Sequence, residues 1–115
     1  MQDLALAENL IYCANGSDGL AIVDVSDPGS PVLVGSVDTP GTAVSVSVSG
    51  NIACVADWTG GLQIIDVSNP AFPSIIGNAA IPNAAGVAVD GDIAYAGAAY
   101  GGDYSLKVLN IANPN

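Results

Sequence analysis

Histidine and arginine are absent from this chain, and Lys107 is its only base. Those gaps remove most of the ordinary catalytic inventory. No imidazole is available to activate a serine or cysteine, and no nucleophile-plus-base arrangement stands in the sequence, so no catalytic residue is assigned. The commonest nitrogen ligand for metal ions is missing too. Eleven acids against one base give a formal net charge of −10. Nucleic acid and anionic lipid headgroups require Lys or Arg to neutralise phosphate, so neither is an expected partner. One-signed charge also keeps an apolar β-protein in solution.

Large aromatic residues are scarce: one Phe, one Trp and four Tyr in a chain that is half hydrophobic. A core must therefore be built from Val, Ile, Leu and Ala, which suit pleated strands packed face to face. No apolar run approaches the roughly 20 residues of a membrane span, so direct membrane insertion is not expected. Met1-Gln2-Asp3-Leu4 lacks the basic start and apolar stretch of a signal peptide, and the chain declares no compartment of its own. The only cysteines, Cys13 and Cys54, match no redox or zinc spacing.

What is present is repetition. Asn9-Leu10-Ile11-Tyr12-Cys13-Ala14 recurs 42 residues later as Asn51-Ile52-Ala53-Cys54-Val55-Ala56. The same offset carries Gly19-Leu20-Ala21-Ile22-Val23-Asp24-Val25-Ser26-Asp27-Pro28 onto Gly61-Leu62-Gln63-Ile64-Ile65-Asp66-Val67-Ser68-Asn69-Pro70. A third copy follows in Asp92-Ile93-Ala94-Tyr95-Ala96-Gly97 and Leu106-Lys107-Val108-Leu109-Asn110-Ile111. It is lengthened by three residues around Tyr100 to Ser105. Fourteen Gly and seven Pro are spread along the chain as turn punctuation.

Each copy reads as four short strands, placed in the second copy near 44–48, 52–56, 62–67 and 74–79. Val44, Val46 and Val48 alternate with Ser45, Ser47 and Ser49, the pattern of a strand apolar on one side. Glu8-Asn9, Gly50-Asn51 and Gly91-Asp92 occupy the tight hairpins between first and second strands. A four-stranded unit of about 42 residues has the period of a propeller blade. The expectation is an all-β fold of β-propeller-type antiparallel blades, about 2.75 of them, with four, four and three strands. The divisions fall at 1–40, 41–82 and 83–115, the last blade incomplete.

The segments 19–28 and 61–70, with Gly50-Asn51-Ile52-Ala53-Cys54-Val55-Ala56-Asp57 before the second, resemble the signature of the LVIVD repeat family. Copy three departs from it at Lys107-Val108-Leu109-Asn110. The resemblance implies a β-propeller and, commonly, a secreted or cell-surface protein; it implies no shared catalytic chemistry.

Three blades do not close a ring. Either the chain is part of a larger propeller, the preferred reading, or copies assemble, two of them giving about six blades. Self-association through blade faces is the expected consequence, since bare end blades would expose apolar surface.

Asp24, Asp66 and Asn110 share one position before a turn, where a side-chain oxygen accepts from backbone N–H groups two or three residues on. Their expected role is structural. Asn15-Gly16-Ser17-Asp18-Gly19 has a faint likeness to a calcium loop without its further acids. A plain turn is the first reading and calcium the alternative, with Asp57 and Asp103 as oxygen donors in matching loops; no other cofactor is expected. Trp58 replaces Gly16, and the third copy carries Tyr100 and Tyr104. With Asp57 and Asp103 these aromatics make a candidate recognition rim for a protein or carbohydrate partner, set against packing of Trp58 on the blade edge. A carboxylate-based hydrolase is a remote third reading. Cys13 and Cys54 are expected as free, buried thiols, and the strand geometry leaves room for both to face the gap between blades one and two.

Overall fold

A computed structural model describes residues 2–100 and 103–111, with side chains at all of these except 99, 100 and 103–105. Its described residues form eleven strands and no helix. The first sheet holds β1 (Asp3–Ala7), β2 (Leu10–Ala14), β3 (Leu20–Asp24) and β4 (Val32–Val37). The second holds β5 (Ser45–Ser49), β6 (Ile52–Ala56), β7 (Leu62–Asp66) and β8 (Ser74–Ala79). The third holds β9 (Ala84–Asp90), β10 (Ile93–Tyr100) and β11 (Asp103–Asn110), in the order β11-β10-β9. All neighbours run antiparallel, so each sheet is a meander, the strand plan of a propeller blade.

Local chemistry fixes these units. In the β1–β2, β5–β6 and β9–β10 turns the first loop residue has positive φ: 55° at Glu8, 56° at Gly50 and 59° at Gly91. The second does not, which matches a type II′ hairpin and its twist. β3 against β4 and β7 against β8 shift register at the same place, between Ile22/Val23 and between Ile64/Ile65. The repeated bulge leaves Val34 and Ile76 outside the ladder and bends both outer strands.

The copy-three extension was expected as a longer loop. It lengthens the strands instead, with Tyr100 opposite Asp103 and Ala99 opposite Tyr104. The side chains of Tyr100, Asp103 and Tyr104 lie outside the described residues.

Each blade has a forward side, toward the next blade, and a rear side. Forward side chains of blade one (Tyr12, Ala14, Leu20, Ile22) pack on rear side chains of blade two (Val46, Ala53, Val55, Ile65). Forward side chains of blade two (Cys54, Ala56, Leu62, Ile64) pack on Ala94 and Ala96 at the rear of blade three. Blade two is thus covered on both sides, and β6 and β7 are nearly continuous buried strands.

The first strands stand side by side and are laced together. Asp3 Oδ2 accepts from Val46 N at 3.1 Å. Ser47 Oγ accepts from Val89 N at 3.2 Å, and Ser49 Oγ donates to the Gly91 carbonyl at 3.0 Å. The serine side of β5 is therefore a seam between blades, not merely the polar side of a half-buried strand.

Candidate interaction site

The loops after β2 and β6 have one backbone design. Asn15 N donates to Gly19 O at 2.8 Å, as Asp57 N does to Gly61 O at 2.8 Å. Each loop then pairs with the segment entering the next blade. Gly16 and Ala43 exchange two backbone hydrogen bonds, and Trp58 and Ala84 do the same. That pairing demands positive φ, 62° at Gly16 and 52° at Trp58. A bulky residue there carries backbone strain that glycine avoids. Trp58 is half-buried, so its ring is shared between packing and solvent.

Asp57 has a different place from the rim expected of it. It is fully buried. Thr39 Oγ1 donates to its Oδ1 at 2.6 Å, and Gly41 N to its Oδ2 at 2.8 Å. Thr39 and Gly41 belong to the link between blades one and two, so Asp57 pins that link to the β6–β7 loop. Both carboxylate oxygens accept internal hydrogen bonds, so the side chain is turned in from the rim surface. Gly60 permits this: a methyl there would overlap Asp57 Oδ2. Sequence reasoning missed Thr39 and Gly41 because they lie 18 and 16 residues from Asp57. The available signal was the change from Asn15 to Asp57 at an otherwise repeated position.

Asp24 Oδ1 accepts from Ser26 N at 2.8 Å, and Asp66 Oδ1 from Ser68 N at 2.8 Å. Those donors hold both carboxyls below the ordinary aspartate range. Asn110 occupies the same ladder position, and Ile111 N donates to Asp92 O at 2.7 Å as Val25 N does to Asn9 O at 2.8 Å. Among the described residues no group of three or more His, Cys, Asp or Glu is placed to hold a metal ion.

Both cysteines are free. Neither faces the gap between blades one and two. Cys13 is half-buried on the rear side of blade one, beside Leu4 and Ala21. Cys54 is buried in the gap between blades two and three, where desolvation pushes its thiol up to about 11. A cleft of about 460 Å³ beside the rim is lined by Pro40, Thr59, Gln63, Asn78 and Pro82.

Exposed apolar side chains lie beside the outer strands, at Val32, Leu33 and Phe72, and on the two end faces. Leu106, Val108 and Tyr95 occupy the forward positions filled in blade one by Leu20, Ile22 and Tyr12. Leu20 and Ile22 are 0% exposed, whereas Leu106 is 70% and Val108 59% exposed. At the rear of blade one, Leu4 and Leu6 are 49% and 65% exposed, while their counterpart Val46 is 5%.

The LVIVD repeat model matches residues 1–39 and again 40–80. The chain belongs to the LVIVD repeat family. No curated protein matches it. The signature segments of the two LVIVD repeats, 20–24 and 62–66, are β3 and β7, whose forward residues Leu20, Ile22, Leu62 and Ile64 fill the gaps between blades. The signature is thus a packing code, completed by the Asp that closes the following turn. The third sheet lies beyond the matched residues and keeps the same forward apolar pattern.

Proposed function

We propose that this chain is a non-catalytic binding and scaffolding module, which works by docking blade-like apolar surfaces on its two ends. One observation carries the reading. Side chains of the kind buried at both internal blade contacts recur on the forward side of blade three and the rear side of blade one, where blades one to three leave them uncovered. Retained Leu, Val and Tyr at exposed sheet positions serve an interface, because a free surface of this kind favours aggregation. The chemistry of the chain supports the absence of catalysis. It has no His, and the repeated Asp24 and Asp66 are engaged in turns of separate blades. The half-buried Trp58 and the adjoining cleft offer a smaller, secondary contact on the rim.

The test is to supply the missing cover covalently. The chain is extended at its C-terminus by residues 71–82 followed by 41–82, which adds an outer strand and one further blade. Covering Tyr95, Leu106 and Val108 should raise the melting temperature by at least about 5 °C. An unchanged or lower melting temperature would show that the forward surface of blade three does not receive a blade.

A further inference from the structure

We propose that the gap between blades one and two holds a binding site for the ammonium group of a primary alkylamine, free or carried by a lysine side chain. The site opens on the hairpin side of that gap, apart from the two end surfaces, so it stands or falls independently of the docking reading. A cleft of about 440 Å³ lies there, between the β1–β2 hairpin and the segment that follows β7. Its volume is that of a small-molecule site, in which apolar walls join a few convergent polar groups. Leu10, Val67 and Pro70 supply apolar wall, and Glu8, Tyr12 and Ser68 line the same space.

The first observation is the Tyr12 hydroxyl. Tyr12 is 4% exposed, and it belongs to the hydrophobic cluster between the two blades. The hydroxyl stands apart from that packing. Among the described residues no group bonds it, yet no buried polar atom is left without a partner. The hydroxyl is therefore the part of Tyr12 that reaches the cleft. A phenyl ring would fill the blade contact equally well, so the oxygen is surplus to packing.

The second observation is Glu8. It takes φ of 55° at a turn position where Gly50 and Gly91 serve the other two blades. Strain kept in one copy of a repeated turn points to a use for the side chain that causes it. The Glu8 side chain lines the cleft. Burial first, and the Glu8 carboxylate second, push the Tyr12 hydroxyl up from the ordinary tyrosine range. The hydroxyl thus stays protonated and neutral, with lone pairs open to an N–H donor. In the gap between blades two and three the same two positions are Gly50 and Cys54, with neither charge nor hydroxyl. Both departures from the repeat fall in one cleft.

A carboxylate beside an accepting hydroxyl selects a cation that carries N–H donors. The only base of the chain, Lys107, lies in β11 of blade three, and a net charge of −10 draws cations toward the surface. Among the described residues Glu8 joins no group of three or more His, Cys, Asp or Glu that could hold a metal ion. The apolar walls suit an alkyl stem, which a bare ion lacks.

The experiment titrates the ¹⁵N-labelled 115-residue chain at low salt with pentylammonium chloride, tetramethylammonium chloride and a blocked Gly-Lys-Gly peptide, following backbone amide shifts. Pentylammonium should give saturable shifts at Glu8, Leu10, Tyr12 and Ser68, with a dissociation constant of about 1 mM or tighter. Tetramethylammonium has the charge without the donors and should bind at least about tenfold more weakly. Glu8→Gln should weaken pentylammonium at least about tenfold, and Tyr12→Phe about fivefold. Tyr12→Phe should also melt within about 1 °C of the parent, because its hydroxyl holds nothing in the folded chain. Circular dichroism checks that each variant folds, and Glu8→Gly stands in if Glu8→Gln does not. Tighter binding of the peptide than of the free amine would identify a lysine side chain as the source, and the reverse order a small amine. No saturable shift by about 50 mM pentylammonium overturns the proposal. So does equal binding of tetramethylammonium, or binding that neither substitution weakens.

Discussion

Asp57 is where a single side chain decides how two blades are joined. Replacing it with Ala leaves the Thr39 hydroxyl and the Gly41 amide without their acceptor in a fully buried place. The expected loss is about 3 kcal/mol by urea denaturation, since hydrogen bonds to a carboxylate are strong and an orphaned donor is costly. Thr39→Val removes one of the two bonds, and a double-mutant cycle with Asp57→Ala should show coupling of about 1 kcal/mol. Additive losses would mean that Thr39 and Asp57 act independently. Asp24 and Asp66 make a different prediction. Their folded forms hold the proton less tightly than the unfolded chain, because Ser26 N and Ser68 N donate to the charged carboxylates. Their contribution is thus fully present above the ordinary carboxylate range, near about pH 4, and is lost as pH falls through the lower folded values. Thermal melts from pH 6 to pH 2 should show a steeper acid decline in the parent than in the Asp24→Asn/Asp66→Asn variant. Equal slopes would remove the turn carboxylates as a source of acid sensitivity.

At the scale of strands and hairpins, the repeat exposes positions where one copy departs from the better solution of another. Glu8 takes φ of 55° where the equivalent hairpins use Gly50 and Gly91. Left-handed backbone costs a side-chain residue about 1 kcal/mol, partly offset by the extra freedom glycine gives the unfolded chain. Glu8→Gly should therefore stabilise the protein by about 0.5 kcal/mol or more, again by urea denaturation. Gly35 in β4 makes the opposite case. A methyl there would overlap the Pro70 carbonyl of the next blade, and both surfaces are backbone. Gly35→Ala should cost about 2 kcal/mol, while Ser36→Ala on the exposed side of the same strand should change little. Strand boundaries were legible because alternation and turn residues recur in register: 52–56 and 74–79 were placed as they stand, 62–67 is one residue shorter at its end, and 44–48 is shifted by one residue at both ends. The Asp57 clasp and the β5 serine seam were not legible. Their partners lie 16 to 43 residues away, across a blade contact that strand alternation does not encode. Asp57 was assigned to the rim from its loop position, which says nothing about whether a side chain turns inward, as this one does.

The described residues form a row of three sheets in which the middle one is sandwiched, and that asymmetry fixes how they should open. In stacked repeats, stability is shared between each unit and its contacts, so a unit with two contacts outlasts a unit with one. Blade two contributes to both hydrophobic clusters, and Ala53, Cys54, Val55, Ala56, Leu62, Ile64 and Ile65 are all at 0% exposure. Its amides should exchange with solvent deuterium only by global unfolding, with the largest protection in β6 and β7. β4 and β11 are edge strands with exposed Leu33, Leu106 and Val108, and should exchange first by local opening. Uniform protection across the three sheets would contradict the row-of-blades account itself.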